Sequence, residues 1–152
     1  MKIVVLKFGG TSVGTIEKIK KVTDIIIEHK KKKNKVIVVS SAMSGVTNDL
    51  IKKSKQISNN FIDSEYDVLV SSGEQVACSL IAGRLNHKGF KSRSWLGWQI
   101  PIFTNGPYTN SRIQQVNKNK LLRFLKEGGI PIITGFQGVN MNERVTTIGR
   151  GG

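Results

Sequence analysis

Lys2-Ile3-Val4-Val5-Leu6-Lys7 and Val36-Ile37-Val38-Val39-Ser40 are two short apolar runs rich in β-branched residues. Between them Ile16, Ile19, Val22, Ile26 and Ile27 recur at three- and four-residue steps, with lysines on the opposite face. The runs read as buried strands and the intervening segment as an amphipathic helix. Thr15 has the residue type of a helix N-cap, and Asn34 that of an exit. A strand, a helix and a strand of this length make a βαβ unit, whose two strands run parallel.

Outward from this unit the same alternation continues. A helix is expected from about Asn48 to Ile57 with Thr47 able to cap it, then a connecting loop over 58–66. A third helix is expected over 73–87, with Val76, Leu80, Ile81 and Leu85 facing inward and Gly89 ending it. Residues 91–96 and 100–104 are strand candidates, and 117–127 a helix capped by Asn117 and stopped by Gly128-Gly129. Ile130-Pro131-Ile132-Ile133-Thr134 reads as a core strand, with Pro131 near its start or at a sheet edge because it lacks a donor. From Gly135 onward a loop with a short hairpin around 140–142 is expected. The fold class is α/β, with a largely parallel sheet covered on both faces.

Composition narrows the function classes. The chain has 152 residues and a formal charge of +14, enough length for a real core. No apolar run approaches the ~20 residues that span a bilayer, and the start lacks the pattern of a signal peptide, so no membrane role is expected. A single cysteine, Cys78, excludes an internal disulfide framework and fits a cytoplasmic setting; it reads as a buried small hydrophobe. Lysine outnumbers arginine 18 to 6, and the run Lys30–Lys33 contains neither arginine nor aromatics. That argues against a nucleic-acid site and for a solvated helix end, where cations suit the helix dipole.

Four segments carry chemistry. Lys7-Phe8-Gly9-Gly10-Thr11-Ser12-Val13-Gly14 follows the first strand. Glycines there let backbone amides approach phosphate oxygens, and Lys7 at the strand end offers a point charge to a phosphoryl group. The Walker pattern fails, because Thr15 stands where its lysine belongs; a plain Gly-Gly turn with a solvated lysine accounts for the segment equally well. Ser40-Ser41-Ala42-Met43-Ser44-Gly45-Val46-Thr47-Asn48 runs from the second strand into a helix, and its hydroxyls can donate to an anion, although capping alone also explains Thr47. Ser71-Ser72-Gly73-Glu74 is placed at a helix start, where the dipole favours an acid without any function; as a ligand, Glu74 would hold an ammonium group. In Thr146-Thr147-Ile148-Gly149-Arg150-Gly151-Gly152, Arg150 between glycines has the fork that grips a carboxylate.

KFGGTSV, SAMSGVTN, SSGE, GFQG and TTIGRGG, in this order, resemble the aspartate kinases of the amino acid kinase superfamily, and the resemblance covers essentially the whole chain. It implies a three-layer αβα sandwich, of the amino acid kinase and carbamate kinase type, incomplete at the C-terminus. Residues 1–152 would be the amino-terminal part of the kinase domain, without its nucleotide-binding half or regulatory ACT domains. The implied reaction moves the γ-phosphoryl group of ATP to the side-chain carboxylate of L-aspartate, with Mg²⁺, giving 4-phospho-L-aspartate on the way to lysine, methionine and threonine.

By the same resemblance Lys7 would be catalytic and contact the γ-phosphoryl group, with Phe8, Gly9, Gly10 and Ser41 on the nucleotide phosphates. Thr47, Glu74, Arg150, Gly151 and Gly152 would bind aspartate: Glu74 its α-amino group, Arg150 its α-carboxylate. No protein metal ligand is implied, and full-length relatives would be homo-oligomers. The segment from Thr104 to Ile113 departs from the family pattern. The alternative is a catalytically inactive remnant with weak anion binding, and the 152 residues alone are not expected to complete the reaction.

Overall fold

The computed structural model describes residues 2–149. The βαβ unit forms as read. β1 (Ile3–Phe8) and β2 (Lys35–Ser40) pair in parallel, from Ile3 opposite Lys35 to Phe8 opposite Ser40. Helix α1 (Ile16–Lys31) starts where the Thr15 side chain accepts the Lys18 backbone N–H at 3.2 Å. Lys30 and Lys31 lie in its last turn, next to the unpaired carbonyls they favour.

Two further strands complete a parallel sheet. β6 (Ile130–Thr134) inserts beside β2, and β3 (Ser92–Trp95) lies beyond it, in the order β1-β2-β6-β3. Pro131 is the second residue of β6, near the strand start as expected. Alternation along the strands sends Val36, Val38, Ile130 and Ile132 to one face, against Ile19, Val22 and Ile26 of α1. Ala77, Cys78, Ile81 and Leu85 of α3 (Asp63–His87) close the same core. On the other face Ile37, Val39, Ile133 and Trp95 meet Leu121 and Phe124 of α4 (Asn119–Lys126). Helices on both faces of the sheet make three layers.

Several boundaries differ from expectation, each for a physical reason. β1 is an edge strand with Ile3 and Val5 53% and 59% exposed, because α4 covers only the β6 side of that face. α3 begins at Asp63 and absorbs much of the expected loop. Its buried positions include Asp67, Ser71 and Glu74 as well as apolar residues, which blurs the helical stripe. Val76 and Leu80, expected inward, are exposed, and Ala77 and Cys78 take their place. α2 (Val46–Ile57) starts behind Gly45 at φ +86°, so Thr47 lies inside the first turn and does not cap it. Asn117 does take the Asn119 N–H at 3.2 Å, one residue ahead of the Lys118 cap position.

A second, mixed sheet was not anticipated. β4 (Ile102–Asn105) pairs antiparallel with β5 (Arg112–Val116) and parallel with β7 (Gln137–Val139). β7 pairs antiparallel with β8 (Val145–Thr147), a hairpin turning through 140–144 where a short one was expected. All five residues of β5 are exposed, so no alternation marks it in the sequence.

Candidate active site

The register places three strand ends in one row: Phe8 beside Ser40, and Ser40 beside Thr134. The chain leaves each strand under control of its neighbour, Ser41 N–H donating to the Phe8 carbonyl at 3.0 Å and Gly135 N–H to that of Ser40 at 2.9 Å. A groove of about 780 Å³ opens beyond this row, lined by Lys7, Gly10, Ser41, Thr47, Glu74 and Gly149 among others. Ligands of open parallel sheets sit at this carboxyl edge.

Lys7 is exposed at the end of β1, on the groove side of the strand. Phe8, next along, has alternate parity and packs against the α1–α3 core, so only its backbone is available to a ligand. A Cβ at Gly10 would stand 3.0 Å from the Ala42 carbonyl oxygen, whereas one at Gly9 would meet nothing within 4 Å. Gly10 thus serves the packing of the two loops, and Gly9 faces open space. The Lys18 ammonium donates to the Thr11 carbonyl at 2.9 Å and draws the glycine loop onto α1.

Glu74 reaches the groove from the middle of α3, not from a helix start as read from sequence. Its approach depends on Gly73, where a Cβ would come within 2.9 Å of the Ala42 Cβ and 3.2 Å of Val46 Cγ1. The Glu74 carboxyl is 3% exposed; Oε1 accepts the Ala42 N–H at 3.4 Å, and Oε2 has no partner among the described residues. Burial pushes its pKa up to about 7, against the smaller opposing effect of backbone N–H groups. A buried carboxylate with one free oxygen is a receptor for a cation carrying hydrogen-bond donors. Cys78, one turn further on, has its thiol pushed up to about 12 by burial and by Glu74, which makes it an inert core residue.

Sequence reasoning left other residues of this region unassigned. Phe136, in the GFQG segment, lines the groove with φ +65°, an outlying conformation for a bulky residue and one that concentrates at ligand sites. Gln137 is buried; its amide donates to the Ser71 carbonyl at 3.0 Å and its oxygen accepts the Gly97 N–H at 3.3 Å. It ties α3, one turn before Glu74, to the loop after β3. Asp67, in the apolar run Tyr66-Asp67-Val68-Leu69-Val70, is fully buried and holds Thr109 and Thr147; a lone acid within such a run was the available signal. Arg150, Gly151 and Gly152 lie outside the described residues.

The donor set fits anionic oxygens better than a protein-held metal. Among the described residues Glu74 is the one carboxylate lining the groove, and its burial disfavours the charged form. Among the described residues no cluster of three or more His, Cys, Asp or Glu is placed to hold an ion.

Comparison with known proteins agrees with the fold. The aspartokinase of Geobacillus stearothermophilus is 47% identical over 152 residues, which is all of this chain and 37% of that protein. The crystal structure of an aspartate kinase from Synechocystis superposes with a TM-score of 0.81 at 36% identity, covering all of this chain and 25% of that one. Escherichia coli aspartokinase III, crystallised with aspartate and ADP, shares the fold with a TM-score of 0.84 at 23% identity, over 44% of its length. The chain thus spans between a quarter and less than half of each of these proteins. The family model described as the amino acid kinase family matches residues 2–152, and the chain belongs to that family.

Proposed function

We propose that the native protein carrying this chain is an aspartate kinase, transferring the γ-phosphoryl group of ATP to the side-chain carboxylate of L-aspartate. These residues would be the amino-terminal, acceptor-side part of its kinase domain. One observation carries the reading: a glycine loop and Lys7 at a strand end share a groove with a buried carboxylate whose second oxygen is unpartnered. The first pair suits a phosphoryl group and the second suits an α-ammonium group. Two proteins similar to the whole of this chain, at 47% and 36% identity, are an aspartokinase and an aspartate kinase.

The acceptor carboxylate has a solution pKa near ~3.9 and is ionised at neutral pH, so no general base is required. Catalysis reduces to alignment and to screening of negative charge. Lys7 would meet the transferring group; Gly9, Gly10 and Ser41 would line the phosphate path with backbone and hydroxyl donors. Thr47 and Glu74 would hold aspartate, and Arg150 with Gly151 and Gly152 would close on its α-carboxylate. Mg²⁺ arriving with ATP supplies further charge neutralisation. No helix among the described residues is long and apolar enough to cross a membrane. By the family resemblance, the native protein would be a cytoplasmic biosynthetic enzyme working as a homo-oligomer.

The test is hydroxylamine trapping of the acyl phosphate formed by the native protein from aspartate, ATP and Mg²⁺. Product is expected, and Lys7→Ala should cut kcat by about 10²–10³, the scale for removing a charge-stabilising donor, with little change in the aspartate KM. Absence of product, with binding of aspartate also absent by calorimetry, would refute the assignment.

A further inference from the structure

We propose that Asp67 is a positioning residue that sets the wall of the groove facing the α-carboxylate of the substrate; the idea rests on the aspartate kinase reading. Asp67 is fully buried on α3. Its Oδ2 accepts the Thr147 N–H at 2.8 Å and the Thr109 N–H at 3.0 Å. Its Oδ1 accepts the Thr147 hydroxyl at 2.7 Å and shares the Thr109 N–H at 3.1 Å. One carboxylate therefore gathers a loop and a strand that are 38 residues apart in the chain.

What it gathers leads directly into the groove. Thr147 is the last residue of β8, and Ile148 and Gly149, next along, line the groove. The loop beneath them is held as one piece: Ser111 N–H donates to the Thr147 carbonyl at 3.0 Å, and the Ser111 hydroxyl to that of Pro107 at 2.8 Å. A Cβ at Gly149 would come within 2.6 Å of Asn110 Oδ1, so strand and loop are in close contact there. Thr109 adopts φ +67°, a conformation disfavoured for a β-branched residue. Such strain persists where surrounding contacts enforce it, and the paired contacts to Asp67 are those contacts.

Asp67 and Glu74 are seven residues apart on one helix, hence on the same face and about 10 Å apart along its axis. The two buried carboxylates have complementary states. That of Asp67 is saturated by protein donors, whereas Glu74, which lines the groove, keeps one buried oxygen without a partner among the described residues. α3 thereby fixes the separation between the ammonium-binding point and the wall that precedes Arg150. That separation would suit an ammonium and a carboxylate borne on one carbon, as in an α-amino acid, and disfavour acceptors whose two groups stand further apart or of which one is missing. A purely structural anchor would stabilise the fold without favouring one substrate.

The experiment uses the native protein and Asp67→Asn, which preserves shape but turns an NH₂ group toward one of the donors. The aspartate KM should rise about tenfold or more, the scale for a lost charged hydrogen bond, while the ATP KM stays within about twofold. Amide hydrogen exchange should quicken at Thr109 and Thr147 and hold steady in α3 and the parallel sheet. Thr147→Val should raise the aspartate KM, and Thr147→Ser, which keeps the hydroxyl, should recover most of the loss. Equal changes in both KM values, or an unchanged aspartate KM beside a lowered Tm, would make Asp67 a plain fold anchor and overturn the proposal. Unchanged exchange at Thr109 and Thr147 would overturn it independently of any activity. A parent protein that does not phosphorylate aspartate defeats the underlying functional reading, an outcome distinct from an active parent with an unaffected variant.

Discussion

Glu74 carries a cost that its own titration makes measurable. Its folded-state pKa, about 7, lies above the ordinary 4.5. A raised pKa means the associated stability is complete below pH ~4.5 and is lost as pH climbs through ~7, since the unfolded chain ionises first. That interval corresponds to roughly 3 kcal/mol at most. Glu74→Gln cannot ionise, so in urea titrations it should match the parent near pH 4 and exceed its stability above pH 7. If the parent shows no decline across that window relative to Glu74→Gln, the burial account of this group is wrong. Binding of an ammonium group asks for the charged form. The affinity of the native protein for aspartate should accordingly weaken below pH ~7, by up to about tenfold per unit. The sequence showed that an acid stood in SSGE. It could not show that the helix begins ten residues earlier, so the sequence places the acid in a first turn, as a dipole-favoured residue or an ammonium ligand, and gives no sign of its burial.

At the level of elements, the two glycines inside α3 make an internal control. Glycine in a helix interior costs about 1 kcal/mol relative to alanine. A Cβ at Gly83 meets nothing within 4 Å, so Gly83→Ala should stabilise the protein by about that amount. At Gly73 the same atom would press on the Ala42 Cβ and Val46 Cγ1, and overpacking costs about 1–3 kcal/mol. Gly73→Ala should be neutral or destabilising in thermal melts, and should weaken aspartate binding because the Ala42 loop must shift. A stabilised Gly73→Ala would show that α2 and its loop yield freely. The same elements show what was readable. Strands β1, β2 and β6 and helix α1 announced themselves through apolar runs and a clean stripe. α3 hid its first half because Asp67 and Ser71 replace apolar residues on its buried side, and β5 hid because it buries none of its residues. The glycine and serine loops at two strand ends were legible from residue type and spacing; the contacts of Asp67 and Gln137 join segments remote in sequence, which no local pattern encodes.

Across the whole molecule, the face of the parallel sheet beside β1 stands apart. Ile3 and Val5 project there with α4 too distant to cover them. Exposed apolar side chains on an edge strand promote association. The 152-residue chain should show concentration-dependent self-association by sedimentation, reduced in Ile3→Thr/Val5→Thr without loss of helical signal. A chain monomeric at all accessible concentrations would show this edge to be harmless. The strand order β1-β2-β6-β3 has a separate consequence, for assembly in time. β2 and β3 share no hydrogen bonds and are joined only through β6, the strand at Ile130–Thr134. During synthesis the first 129 residues therefore emerge as a parallel βαβ unit and a helix-bearing segment that lack their common partner. Non-local pairing of this kind delays folding and lengthens exposure. β6 is also the strand whose end, at Thr134, opens onto the groove, so the parallel sheet and the edge that lines the groove form together, once β6 has emerged.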